Sequence, residues 1–142
     1  MNIDDVQYVK KISVSDYNML RKSAGWNEIA KAQAQTGINN SAFLVSAKFE
    51  EKTVGMARLI TDGGYIAIIV DVIVLPEFQR KGIGKTMMTM LMEYIQDSIT
   101  KGEGVFINLM AAKGRESFYK QFGFIERPND KLGSGMTKWI SK

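Results

Sequence analysis

The densest chemical signal in the sequence lies in Gln79, Arg80, Lys81, Gly82, Ile83, Gly84 and Lys85. These residues follow an apolar run closed by Pro76 and precede a helical pattern that begins at Ile83. A loop entering a helix presents backbone N–H groups that have no partner within the helix, and the helix dipole favours negative charge there. Gly82 and Gly84 remove side chains that would hold an anion away, while Arg80, Lys81 and Lys85 add positive charge. The stretch reads as a pyrophosphate cradle. It is not a P-loop, and Met87 stands where a Gly-x-Gly-x-x-Gly motif needs its third glycine. A second feature is Asp71, the one carboxylate inside the apolar run 65–75. A buried, unpaired carboxylate is expensive, so Asp71 must be paired, solvated by a cleft or shifted in pKa. Two readings stand for it. It is a general base that takes a proton from an acceptor ammonium, directly or through water, or a structural Asp held by an Arg or by backbone N–H groups.

What the chain lacks narrows the chemistry further. It has no Cys and no His. Thiol nucleophiles, disulfides, a Ser-His-Asp triad and thiolate- or His-ligated zinc are therefore excluded, and no metal is expected. Acid–base work falls to Asp, Glu, Tyr, Lys or a bound water. The formal net charge is +4, which suits an anionic ligand but is too small to argue for nucleic acid. Asp4 and Asp5 stand where a secretory signal would be basic and then apolar. No apolar run approaches the roughly eighteen residues of a membrane span. A cytoplasmic protein with neither a nucleic-acid nor a membrane partner is the expectation.

These residues need elements to position them. The 142 residues suggest one domain, 1–142. Residues 6–12 alternate loosely as a first strand. Ser13 or Ser15 caps a helix to about Ala24, and Asn27 caps a second helix, 28–36, closed by Gly37. Strands follow at 42–49, 53–61 and 65–75, with a bulge or close approach at Gly55 and a hairpin turn at Asp62-Gly63-Gly64. This is an antiparallel meander. The third strand is apolar almost throughout, so helices should cover both faces. Ile83, Met87, Met88, Leu91, Ile95 and Ile99 recur at helical spacing, and the methionines read as core filling. A strand at 105–110 then pairs parallel to the third, through a right-handed crossover. A short helix spans 113–121, with Gly123 as its stop, and short strands are expected at 124–127 and 136–140 around a polar loop.

Together, Gln/Arg-x-x-Gly-x-Gly behind a strand ending in Val-x-Pro and the later Phe118-Tyr119-x-x-Phe122-Gly123-Phe124 resemble the GCN5-related N-acetyltransferase (GNAT) family. The resemblance covers most of the chain. It implies a mixed α/β acyl-CoA N-acyltransferase fold: a mostly antiparallel sheet, one splayed parallel pair and helices on both faces. It implies that residues 79–85 bind the CoA pyrophosphate. Val72, Ile73 and Val74 would pair with the pantetheine arm, with the Ile73 or Val74 N–H holding the thioester oxygen. Asn108 is a further contact for that arm, or it simply ends the pairing. Lys113 and Arg115 would reach CoA phosphates or remain solvated. Tyr119, by residue type a half-buried aromatic, would protonate the departing CoA thiolate, with Asp71 as the base. Trp26, Phe43, Met136 and the 128–136 loop are the acceptor-side candidates. The implied activity is direct transfer of acetyl from acetyl-CoA, as co-substrate, to a small-molecule primary amine in a ternary complex. A protein or peptide acceptor and a non-catalytic acyl-CoA sensor are the alternatives, and a homodimer is left open.

Overall fold

In the computed structural model, which describes all residues 1–142, a first strand, β1 (Gln7–Val9), follows a short 3-10 turn and leads into helices α1 (Val14–Ser23) and α2 (Lys31–Asn39). Strands β2 (Phe43–Phe49), β3 (Lys52–Thr61) and β4 (Ile66–Val74) come next, then α3 (Ile83–Ser98), β5 (Phe106–Leu109) and α4 (Glu116–Lys120). The sheet order is β1-β2-β3-β4-β5, with the first three pairings antiparallel. The Phe106 N–H donates to the Tyr65 carbonyl, so β5 starts level with the start of β4 and runs parallel to it. The meander and the parallel pair are thus those expected. The chain forms two compact units, residues 1–108 and 109–142.

Within the first unit the pleat sorts side chains by parity. A Cβ on Gly55 would stand 3.2 Å from the Met87 Cε of α3 and 3.0 Å from the Ile73 carbonyl. Gly55 therefore marks a close approach, and an extra β3 residue beside it, between the pairs Ala47–Gly55 and Lys48–Thr53, makes a bulge. Leu59 lies on the same face as Gly55, and Leu59 and Ala57 are buried there. Arg58, one residue on, points to the opposite face, where it meets Tyr17 of α1 and Gly37 of α2. Helices thus cover both faces. Met87, Met88 and Leu91 are fully buried, so the α3 methionines fill the core as expected.

Four local expectations need correction. The second helix starts at Lys31 without a side-chain cap, and Asn27 instead gives its carbonyl to Arg21 Nε. That helix runs through Gly37 to Asn39, because Gly37 does not take the left-handed backbone of a helix stop; the Arg58 guanidinium lies 3.8 Å from its Cβ position, in ordinary contact. In the second unit, α4 starts at Glu116 because Gly114, at φ 87°, breaks the chain direction just before it. Strands at 124–127 and 136–140 do not form. Residues 127–133 bond among themselves instead: Arg127 Nε donates to the Gly133 carbonyl, and Asn129 Oδ1 accepts from the N–H groups of Lys131 and Leu132.

Candidate functional site

The loop behind β4 leaves backbone donors without acceptors in the chain. Gln79 ties it down, donating from Nε2 to the Val74 carbonyl at 2.9 Å. Arg80, at φ 62°, and Gly82, at φ 87°, both adopt left-handed backbone. Alternation of this kind turns successive N–H groups toward one concavity. Gly82 is the N-cap of α3, and no side chain caps the helix. The N–H groups of Arg80, Lys81, Gly82, Ile83, Gly84 and Lys85 consequently find no acceptor in the chain; the first helical bond into this stretch is Thr86 N–H to the Gly82 carbonyl. No acidic residue sits in the first turn, and Lys81 and Lys85 are exposed beside it. The donor set fits a pyrophosphate. Glu77, by contrast, is a surface residue bridged to Lys52 at 3.6 Å.

The end of β4 has a free side. Leu75 N–H donates to the Val54 carbonyl, so the odd residues Ile73 and Leu75 address β3. Val72 and Val74 therefore direct their N–H groups away from β3. On that side β5 offers four residues beginning level with Tyr65, too few to reach Val74. Of the two donors named from sequence, the pairing selects Val74 over Ile73. Asn108 sits within β5.

Asp71 occupies a bulge. The pair Met56–Ile73 is followed by Arg58–Val70, leaving an extra residue on β4, and Asp71 takes φ 54° there. Its carboxylate is 8% exposed and fully engaged. Oδ2 accepts from the Tyr17 hydroxyl at 2.7 Å and from Arg58 Nε at 2.7 Å, and Oδ1 accepts from Arg21 Nη1 at 3.2 Å. Burial, then the Asp71 carboxylate that accepts its proton, raises Tyr17 above its ordinary pKa. The arrangement matches the structural reading of Asp71, with arginines rather than backbone groups as partners.

In the second unit, Tyr119 is 9% exposed, its ring edge-on to Phe118 and Phe124. Its hydroxyl bonds to no group of the chain, and no buried side-chain polar atom is left unpartnered, so the hydroxyl is among the atoms that reach the surface. Burial raises its pKa, against a smaller opposing effect of the Arg115 charge. The phenol therefore stays protonated at neutral pH and can donate.

The family match settles what kind of protein this is. Residues 39–126 match the model of the acetyltransferase (GNAT) domain, a span that includes the loop, Asp71 and Tyr119. The chain belongs to the GNAT family and is an N-acetyltransferase. An uncharacterized N-acetyltransferase, ycf52, of Pyropia yezoensis is 31% identical over 87% of this chain and 71% of its own length. The chloroplastic GCN5-related N-acetyltransferase 1 of Arabidopsis thaliana is 29% identical over 83% of this chain and 59% of its own. A crystal structure from Staphylococcus aureus, described as a probable acetyltransferase, superposes with a TM-score of 0.82 at 29% identity, covering 94% of this chain and 99% of that one. In this GNAT domain no helix is long and apolar enough to cross a membrane.

Two of the acceptor candidates, Trp26 and Phe43, lie on opposite faces of the sheet. Trp26 lies against Arg21, whose guanidinium is 5.4 Å from its ring, on the α1 face. Phe43 pairs with Leu59 and stacks on Tyr94 of α3 at 4.9 Å, on the opposite face. Met136, in the second unit, is 89% exposed. Arg58, on β3, has a side chain only 14% exposed. Tyr17 and Arg21 were not singled out at all. The available signal was the need of Asp71 for a cationic partner, which sequence spacing cannot assign.

Proposed function

We propose that the enzyme acetylates the primary amine of a small molecule by direct transfer from acetyl-CoA in a ternary complex. The observation that carries this reading is the run of six unpartnered N–H groups at the start of α3, directly behind the free side of β4. Acetyl-CoA supplies a thioester whose C–S bond breaks as the N–C bond to the amine forms. The N–H groups of residues 80–85 hold its pyrophosphate, and Lys81 and Lys85 add charge. The edges of Val72 and Val74 hold the pantetheine arm. The Val74 N–H donates to the carbonyl oxygen, where negative charge grows in the transition state. Tyr119 gives its phenolic proton to the departing sulfur. The amine must lose a proton to attack, and we assign that proton to water. Asp71 acts as a positioning residue, because its oxygens already accept from a phenol and two guanidiniums.

Tyr119→Phe tests the reading. It should lower kcat by roughly 10²-fold and leave the dissociation constant for acetyl-CoA within about twofold, measured by CoA release and by calorimetry. Unaltered turnover would remove Tyr119 from the mechanism. Acetyl-CoA binding without CoA release on any amine would favour a sensor over an enzyme.

A further inference from the structure

On the α1 face of the sheet, two guanidiniums share a single carboxylate. Arg21 spends Nε on the Asn27 carbonyl and Nη1 on Asp71. Arg58 spends Nε on Asp71 and Nη1 on the Gly37 carbonyl and Ser41 hydroxyl. In each, Nη2 has no partner in the chain. No buried polar atom is left unpartnered, so both Nη2 groups open to solvent although each side chain is only 14% exposed. The Tyr17 hydroxyl donates to Asp71 and is held protonated by burial and by that carboxylate, so it adds no negative charge. Two positive charges against one leave an excess of one, held by the Asn27 and Gly37 carbonyls and the Ser41 hydroxyl. The rings of Tyr17 and Trp26 confine Arg21, at 6.0 and 5.4 Å. Next to Arg58 on the same face, Ile60 and its cross-strand partner Ile68 stand exposed.

We infer that the acceptor of this acetyltransferase carries a carboxylate beside its amine, bound by the free Nη2 groups of Arg21 and Arg58, with an apolar side chain on Ile60 and Ile68. A free apolar α-amino acid has this chemistry. The inference rests on the small-molecule acetyltransferase reading and names its substrate class. Preformed guanidiniums favour a planar carboxylate, since two N–H donors can meet its two oxygens and no side chain must be ordered on binding.

The experiment compares L-leucine with L-leucinamide, its uncharged isostere, as acceptors. The amide has the less basic amine, hence more free nucleophile, so amine basicity works against the inference. L-leucine should show a kcat/KM at least about tenfold higher, equivalent to about 1.4 kcal/mol. Arg21→Gln should collapse that ratio toward one, Arg21→Lys should restore part of it, and acetyl-CoA affinity should hold in both. A second readout needs no turnover. In a Trp139→Phe background, Trp26 is the sole tryptophan, because the chain has two. N-acetyl-L-leucine, and not N-acetyl-L-leucinamide, should change its fluorescence. Equal or better use of the amide, or equal fluorescence responses, overturns the inference. Absence of CoA release on every amine overturns the transferase reading instead, and the fluorescence comparison then still decides the carboxylate.

Discussion

Asp71 shows how burial decides a residue's role. A carboxylate that must accept a proton during catalysis needs a free lone pair facing the donor, and here three donors already converge on its two oxygens. Removing its charge leaves two guanidiniums close together with no counter-charge between them. Asp71→Asn should therefore cost about 3 kcal/mol of stability in urea unfolding, while the pH dependence of kcat in the surviving folded enzyme keeps its shape. A lost acidic limb would reinstate Asp71 as the base. Tyr17 and Tyr119 give a second test at this scale. Both have pKa values raised above the ordinary 10.0, chiefly by burial. Above pH 10 the unfolded chain loses these protons while the folded chain keeps them. Their contribution to stability is thus full below pH 10 and is lost as pH rises through the folded values. Tyrosinate absorbance should show late ionisation of Tyr17 and Tyr119, and Tyr17→Phe should remove one of these late steps and leave a shallower alkaline loss of stability.

At the scale of elements, glycines do different jobs that a sequence pattern does not separate. Gly37 was read as a helix stop, yet it lies within α2 as the place where Arg58 comes close. Gly82 does set a boundary, with left-handed backbone and open space around its Cβ position. Gly82→Ala therefore meets no clash, and its effect acts through the backbone alone. The substitution should cost about 1 kcal/mol of local strain and raise KM for acetyl-CoA several-fold with kcat nearly unchanged, as steady-state kinetics would measure. The strands at 124–127 and 136–140 failed for a related reason. Their apolar residues suit a strand, but a strand exists only where a neighbour pairs with it, and the sheet holds β1 to β5 alone.

For the molecule as a whole, the charge balance of +4 matters through its placement. Exposed Lys81 and Lys85 flank unpartnered N–H groups at one helix end, whereas Arg21 and Arg58 are turned inward. Exposed charge is screened by salt and confined charge much less. Raising ionic strength from about 0.1 M to about 1 M shortens the Debye length from about 10 Å to about 3 Å. KM for acetyl-CoA should then rise at least about threefold, while the acceptor KM changes less; an equal response would show that both anions bind at exposed charge. The sequence by itself determined the meander, the parallel strand behind α3, the glycine loop that enters α3, and the family. Each of these rests on contiguous residues, through periodicity, turn chemistry or a motif. Only the tertiary structure decided that Tyr17, Arg21 and Arg58 close on Asp71, that Val74 rather than Ile73 faces the free edge, and that Trp26 and Phe43 lie on opposite faces. Those outcomes depend on bulges that shift register and on helices docking across a sheet. They join residues up to 54 positions apart, whose meeting no local pattern encodes.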